Sequence, residues 1–178
     1  YVLNRKIDYE KLIEIVKIIT KNDILLQLDH LLGIPNDNIK NQEENVLIYN
    51  ENRPDIVSVF WLTYYPKTPI VKYAFERGIL NHSDIQKIEQ GKYIRNLHVG
   101  SFEKTDQALY GISFLLNYLP FLPKFLVKFL IKSRLYKFFR MKSYLITTAI
   151  PRFIISIIDK RYFTGRTHII RFLYRIFR

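Results

Sequence analysis

Histidines are the side chains of this sequence best suited to acid–base or metal chemistry, because the chain contains no cysteine. Without cysteine it builds no disulfide, thiolate nucleophile or iron–sulfur cluster of its own. No two histidines have the i, i+4 spacing that places two metal ligands on one helix face. We therefore predict no metal site within this chain. The four are His30, His82, His98 and His168.

His30 is the histidine best placed for function, since it follows Asp29 near the end of an apolar run. A side chain at the end of a buried strand could bind a substrate or act as a general acid or base. Its neighbours at alternate positions are apolar, which also favours a buried histidine with a structural role. We assign His30 to the substrate side of the candidate site and leave the structural interpretation open.

Helices and strands alternate over the first hundred residues. Asp8 can cap a helix that ends at Asn22, and Asn36 or Asp37 can cap a second helix that ends before Pro54. The apolar runs 24–35 and 56–64 suit strands buried on both faces. A strand, a helix and a strand in about forty residues predict one parallel βαβ unit.

Two more helices are predicted after this unit, over 70–77 and from a capping box formed by Ser83 and Gln86 to Gly91. The order α-β-α-β-α is typical of a doubly wound sheet or a (β/α) barrel. Two hydrophobic strands do not complete such a sheet, because their outer edges would be unpaired. We favour a fragment of a barrel over a sheet completed by a partner.

Functional residues of parallel α/β folds lie at the carboxyl ends of the strands. The two ends here are "DHLLGIPND", Asp29–Asp37, and "YPKTP", Tyr65–Pro69. Glycine lets backbone approach a ligand closely, and tyrosines can stack on an aromatic group or hydrogen-bond to it. The alternative is that glycine, prolines and threonine only form turns.

These motifs, followed by "AFERGIL", Ala74–Leu80, resemble in order and spacing the carboxyl half of the radical SAM enzyme barrel. The resemblance is closest to the group that often carries an N-terminal cobalamin-binding domain. It implies that the chain holds about the fifth and sixth strands of a TIM-like barrel. It also implies that these strand ends flank the adenine of S-adenosylmethionine. The implied cofactor-binding residues are Leu31, Gly33, Pro35, Leu62, Tyr64 and Tyr65.

The sequence departs from the family at three points. The CxxxCxxC motif that binds the 4Fe–4S cluster is absent, so the resemblance implies that the cluster ligands lie in a missing N-terminal part. Asn36-Asp37 replaces the usual Gly-Glu, and Lys67 replaces a glycine. A lysine suits that turn position only where the backbone does not need a positive φ, which predicts that this turn differs from the family's.

The net charge of +12 lies entirely in the last part of the chain. Residues 1–104 contain 14 basic and 14 acidic side chains, whereas residues 105–178 contain the other 14 basic side chains and only Asp106 and Asp159 as acids. Lys124, Lys128 and Lys132 form a helical stripe beside large apolar residues. This tail, divided by Pro120, Pro123 and Pro151, has no uncharged run of the length that a membrane span needs.

Such basic, aromatic helices suit the membrane interface, and the alternative is that they pack against the barrel. We rank these two interpretations first and nucleic-acid binding last. We therefore predict an α/β fold: residues 1–104 form a slice of a partial (β/α) TIM-like barrel, and residues 105–178 a basic, aromatic-rich helical extension. The functional hypothesis is the carboxyl part of a radical SAM enzyme that acts on a small-molecule or lipid-like substrate. In the full-length enzyme S-adenosylmethionine, a 4Fe–4S cluster and, in the group it resembles, cobalamin would be cofactors.

We expect the chain alone to be inactive, because its cluster ligands are missing. The alternative hypothesis is a non-catalytic basic module that docks on a membrane surface or a partner subunit. Either hypothesis predicts a cytoplasmic protein, with peripheral contact to the inner face of the membrane through residues 105–178.

Overall fold

Two parallel strands, β1 (Gln27–Leu32) and β2 (Ile56–Trp61), form the sheet of this computed structural model. The structure describes residues 8–35, 37–92, 108–139 and 145–158. His98, His168, Asn36 and the predicted boundary at 104/105 lie outside these ranges. The predicted mixed α/β class and the parallel βαβ unit are confirmed, and helices outnumber strands among the described residues.

Helix α1 (Tyr9–Lys21) precedes β1, and the crossover helix α2 (Ile39–Asn52) connects β1 to β2. Asp8 caps α1 as predicted, since its carboxylate accepts a hydrogen bond from the Lys11 amide at 3.1 Å. The predicted cap of α2 was wrong. Asn38 is the N-cap, and its side chain accepts from the Asn41 amide at 2.9 Å.

Helices α3 (Pro69–Glu76) and α4 (His82–Glu89) follow β2. The predicted capping box of Ser83 and Gln86 was wrong by two residues. Asn81 caps α4, and its side chain and that of Asp84 each accept a hydrogen bond from the other's backbone amide at 2.9 Å. Asparagine caps a helix at least as well as serine, and Asn81 comes before Ser83 in the chain, so α4 begins after Asn81.

The tail begins with α5 (Ala108–Tyr118) and α6 (Lys124–Lys132), followed by a 3₁₀ turn at Leu135–Phe138. A π-helical segment, Leu145–Ala149, continues directly into α7 (Ile150–Ile158). Pro120 and Pro123 separate α5 from α6, as predicted. Pro151 does not divide the chain as predicted, because the π-helical segment continues without a break into α7, of which Pro151 is the second residue.

Helix α5 lies at the centre of the main core and contacts α2, β2 and the 3₁₀ turn. Gly111 allows this close packing, since a Cβ atom built on it would lie 2.0 Å from the Tyr136 carbonyl oxygen. Tyr136 is fully buried, and its hydroxyl donates a hydrogen bond to the Glu43 carboxylate on α2. The first part of the tail is therefore fixed against the βαβ unit by both backbone packing and a side-chain hydrogen bond.

Candidate cofactor site at the strand ends

The carboxyl ends of β1 and β2 lie side by side. The register pairs Leu31 with Phe60 and Leu32 with Trp61, and the Leu62 amide donates to the Leu32 carbonyl at 2.8 Å beyond the last pair. Because side chains alternate between the faces of a strand, Leu31 and Phe60 share one face, and Leu32 and Trp61 share the other. The two strand ends predicted from the sequence therefore form one edge.

The two faces of the sheet are covered to different extents. Leu32, Val59 and Trp61 are buried in the main core with residues of α2 and α5. On the opposite face, α7 covers the amino-terminal half, where Arg152 Nη2 donates to Ser58 Oγ at 3.0 Å and Ile155 packs on Ile56. Beyond that contact Leu31 is half-buried and Phe60 is 38% exposed. We call this carboxyl-terminal half, with Leu31 and Phe60, the open face.

Phe60 is a candidate site residue that the sequence analysis did not select. Phe60 lies within an apolar run, so the sequence does not indicate that its side chain is exposed. Only the register with β1 places Phe60 beside Leu31. Its aromatic ring offers the flat, apolar surface on which a nucleobase packs.

Gly33 follows the open face with φ 78°, a left-handed conformation that residues with a side chain rarely adopt. A Cβ atom there would meet the Trp61 ring at 3.8 Å, an ordinary contact, so backbone conformation rather than crowding requires glycine. Pro35 is buried just after it. This turn leads the chain from the end of β1 towards α2.

Leu62 and Tyr64 lie away from the open face. The chain leaves the sheet after Trp61, and Tyr64 is buried with Ala74 and Ile88 under α3 and α4, with Leu62 packed against the same cluster. Burial raises the pKa of Tyr64 to about 12. Tyr65, by contrast, is 45% exposed.

The segment after β2 also holds a buried polar atom without a partner. Thr63 is 8% exposed, and its hydroxyl has no hydrogen-bond partner among the described residues. A buried hydroxyl without a hydrogen-bond partner lowers the stability of a protein by about 1–3 kcal/mol, so such groups are rare in native proteins. A water molecule or a group outside the described residues is therefore expected to hydrogen-bond to Thr63.

The turn Tyr65–Pro69 is held by Thr68, whose hydroxyl donates to the Tyr65 carbonyl at 2.7 Å. Lys67 has φ 61° within this turn. The prediction that a lysine would mark a turn without positive φ was wrong. The backbone adopts the conformation for which glycine is best suited, and the lysine tolerates it.

His30 makes hydrogen bonds at both ring nitrogens. Nδ1 lies 3.0 Å from the Tyr49 hydroxyl and Nε2 lies 2.7 Å from Gln42 Oε1, both on α2. Since an amide oxygen only accepts, Nε2 donates, Tyr49 donates to Nδ1, and the Gln42 amide nitrogen donates to the Asp37 carboxylate. Burial lowers the pKa of His30, although the hydrogen bond to Gln42 and the nearby Asp37 charge act in the opposite direction.

This network gives His30 a structural role, which is one of the two interpretations that the sequence left open. The ring is turned towards α2, on the face of the sheet opposite Leu31. Its assignment to a substrate has no support from this geometry, because both nitrogens are already bonded.

An apolar groove of about 570 Å³ lies beside the strand ends, between the Tyr65–Pro69 turn, α3 and α4. Lys67 and Pro69 line one side, and Phe75, His82 and Ile85 line another. The His82 ring contacts the Phe75 ring edge-on, with centroids 4.8 Å apart. Sequence analysis missed this groove, because its walls come from two short helices whose relative position no local pattern specifies.

Within the described ranges, no three His, Asp or Glu side chains are arranged to hold a metal ion. No helix in those ranges has the length and hydrophobicity needed to cross a membrane. No protein-family model, curated protein or solved structure matches this chain.

Proposed function

We propose that this chain is the carboxyl part of a radical SAM enzyme, in which β1 and β2 are two adjacent strands of a (β/α) barrel. Such an enzyme cleaves S-adenosylmethionine reductively at a 4Fe–4S cluster and performs radical chemistry on its substrate. The chain would contribute residues for S-adenosylmethionine and none for the cluster. The family assignment rests on the motif resemblance, and the geometry supports it at four points.

The conformation of Lys67 is the observation that carries the proposal. The family places glycine at this position of its Y-P-G-T-P turn, and here the backbone has φ 61° although the residue is lysine. A left-handed lysine costs about 1–2 kcal/mol relative to a right-handed one. The surrounding turn therefore imposes the glycine conformation, as expected of a family motif in which the glycine has been replaced.

The parallel pair also supports an incomplete barrel. Among the described residues the sheet contains only β1 and β2, so each has an outer edge without a partner strand. A single pair of strands is marginal as an independent sheet, and unpaired edges invite further strands. The Thr63 hydroxyl without a partner lies at the same end of the sheet.

The open face fits an adenine in part. Leu31 and Phe60 present an apolar surface, and Gly33 gives backbone access at the end of β1, which together suit a flat ring with hydrogen-bonding edges. Leu62 and Tyr64 are packed under α3 and α4, so their side chains do not fit this role. We therefore narrow the proposed cofactor contacts to Leu31, Gly33 and Phe60, and keep the exposed Tyr65 as a further candidate.

The cluster does not fit on this chain, since it has no cysteine. We assign no cobalamin-binding residues among the described residues, and no step to cobalamin. The proposal therefore limits this chain to binding and orienting the adenine end of S-adenosylmethionine and to excluding water around it.

The decisive experiment begins with the coding sequence upstream of Tyr1. A CxxxCxxC motif in the same reading frame is expected, and its absence would refute the proposal. The longer protein should then show 4Fe–4S absorbance after anaerobic reconstitution, whereas the 178-residue chain should not. Cluster absorbance from the short chain would also contradict the proposal.

Variants of the longer protein test the open face directly. Leu31→Asp should weaken S-adenosylmethionine binding at least tenfold in equilibrium dialysis, because a carboxylate replaces apolar contact with the base. Ile18→Asp on the exposed side of α1 is the matched control and should leave the Kd unchanged. Equal effects of the two substitutions would exclude the open face as the cofactor contact.

A further inference from the structure

Helix α6 displays phenylalanines on the side that faces away from the core. Val127 and Ile131 are buried in the main core, whereas Phe125 is 73% and Phe129 is 56% exposed. At 100° per residue, Phe129 lies nearly opposite the buried pair. The fold does not account for exposed large aromatic residues at i, i+4 spacing, because neither belongs to a core cluster of the described residues.

The 3₁₀ turn after α6 also exposes apolar side chains. Leu135 is 39% and Phe138 is 79% exposed. Arg134 connects the two segments in a left-handed conformation with φ 58°. We call the surface formed by Phe125, Phe129, Leu135 and Phe138 the phenylalanine face.

Basic side chains border this face along its length. Lys124, Lys128 and Lys132 follow one another at i, i+4 spacing beside the phenylalanines, and Arg134 follows at the turn; all four are exposed. Glu51 on α2 pairs with Lys128 at 2.6 Å and with Lys124 at 3.7 Å. No acidic residue lies in the sequence from Lys124 to Phe138, and Glu51 offsets only one of the four positive charges of the border.

The phenylalanine face is held in place rather than carried on a loose segment. Tyr136 lies between Leu135 and Phe138 and is fully buried against α5, with its hydroxyl bonded to Glu43. At the other end, the Asn50 side chain donates to the Lys124 carbonyl at 3.0 Å. Because α6 and the turn are fixed at both ends, the aromatic side chains are presented together at little additional entropic cost.

We propose that the phenylalanine face docks on an anionic lipid bilayer, with α6 lying in the plane of the interface. A helix with exposed aromatic residues and lysines beside them matches the depth profile of a bilayer: rings enter the acyl boundary and ammonium groups reach the anionic headgroups. The positive charge beside the rings complements an anionic lipid surface. The inference is independent of the proposed cofactor role of the strand ends.

The test measures binding of the 178-residue chain to extruded vesicles by co-sedimentation at 0.1 M salt. Vesicles of phosphatidylcholine with 30–40% phosphatidylglycerol, roughly the anionic fraction that gives a substantial surface potential, should bind the chain at least tenfold more tightly than phosphatidylcholine alone. Raising the salt to about 0.5 M should release most of it, because the screening length falls from about 10 Å to about 4 Å. Equal binding to both vesicle types would overturn the electrostatic part of the proposal.

Variants locate the contact on the phenylalanine face. Phe125→Ser with Phe129→Ser should lower the partition coefficient at least tenfold, since two rings no longer enter the interface. Ile15→Ser with Ile18→Ser on α1 is the matched control, because both isoleucines are also exposed. An equal loss in the two double variants would refute the assignment to α6.

A tryptophan placed on the face provides a readout that does not depend on stability. The native Trp61 is buried and serves as an internal reference. Emission of Phe129→Trp should shift to the blue on adding anionic vesicles and be quenched by lipids brominated on the acyl chain. If that residue instead becomes buried with rising protein concentration in the absence of lipid, the face joins copies of this chain and the membrane proposal fails.

Discussion

Replacing Lys67 with glycine should stabilise this protein. Lys67 has φ 61° in the Tyr65–Pro69 turn, a conformation that costs an L-residue about 1–2 kcal/mol. Glycine adopts this conformation without that cost. It loses more backbone entropy on folding, however, which offsets about 0.5–1 kcal/mol of the gain in stability. The net expected gain in the free energy of unfolding for Lys67→Gly is therefore about 0.5–1 kcal/mol.

The measurement is equilibrium unfolding in urea followed by tryptophan fluorescence. The chain has one tryptophan, Trp61, which is buried beside the strand end and should report the loss of the core. With a urea dependence of about 2 kcal/mol per molar, the predicted gain moves the midpoint upward by roughly 0.3–0.5 M. The slope should not change, because the surface exposed on unfolding is the same.

Two control variants separate backbone strain from loss of the lysine side chain. Lys67→Ala removes the side chain but keeps the strain, so its midpoint should stay near that of the parent. Lys72→Gly removes a lysine from α3, where glycine costs about 1 kcal/mol, and should lower the midpoint. If Lys67→Gly behaves like Lys67→Ala, or lowers the midpoint, the turn does not carry the strain and the glycine-type conformation loses its support.

Three further predictions concern the core and the buried His30. Gly111→Ala should destabilise the protein by roughly 3 kcal/mol or more, because the new methyl group would overlap the Tyr136 carbonyl, and a urea midpoint near the parent's would refute the close packing. Tyr136→Phe should cost about 1–2 kcal/mol through the lost hydrogen bond to Glu43, measured in the same way; no change would mean that this bond is absent in solution. Because burial lowers the pKa of His30 below its unfolded value of about 6.5, the unfolded chain takes up the proton first, and stability should fall as the pH drops below about 6.5, by at most about 1.4 kcal/mol per unit. Urea midpoints from pH 7.5 to 5 should show this slope in the parent and in His82→Gln but not in His30→Gln, and a slope retained in His30→Gln would assign it to another group.

The sequence predicts the order of elements well because each signal is local. Alternating helical and strand periods, with Asp8 as a cap and Pro54 as a stop, are enough to identify the βαβ unit, and its parallel pairing is confirmed. Element limits are harder to predict. The apolar run continues to Tyr64, yet the strand ends at Trp61. The residues after Trp61 enter another buried cluster and are as apolar as the strand, so the sequence does not mark where the strand ends.

The candidate site depends on information that local patterns do not contain. Leu31 was selected from the sequence, but its partner Phe60 emerges only from the register. Leu62 and Tyr64 were assigned to the cofactor side by the family resemblance, but the strand ends at Trp61 and both side chains pack in the cluster under α3 and α4. The contact between Gly111 and Tyr136 joins residues 25 positions apart, and the glycine could as well have been a turn residue.

Helix α6 and the open face lie on opposite sides of the sheet, although α7 of the tail lies on the open-face side. Helix α6 contacts α2, and its buried residues belong to the main core with Leu32 and Trp61, whereas the open face carries Leu31 and Phe60. Contacts of α2 with the tail run from Asn50, bonded to the start of α6, back to Glu43, bonded to the turn after it, so α6 lies antiparallel to α2. A bilayer against the phenylalanine face would therefore leave the open face uncovered.

In the membrane proposal, this arrangement gives α6 the role of an anchor and not that of an entry site for substrate. A lipid-like substrate taken from the bilayer at α6 would have to pass around the helical layer and the sheet to reach the strand ends. The two proposals consequently predict separable variants: Phe125→Ser with Phe129→Ser should lose vesicle binding while S-adenosylmethionine binding by the longer protein is retained, and Leu31→Asp should do the reverse. Loss of both vesicle binding and S-adenosylmethionine binding in either variant, with an unchanged urea midpoint, would mean that the two surfaces are coupled. That result would contradict separate roles for the two sides of the sheet.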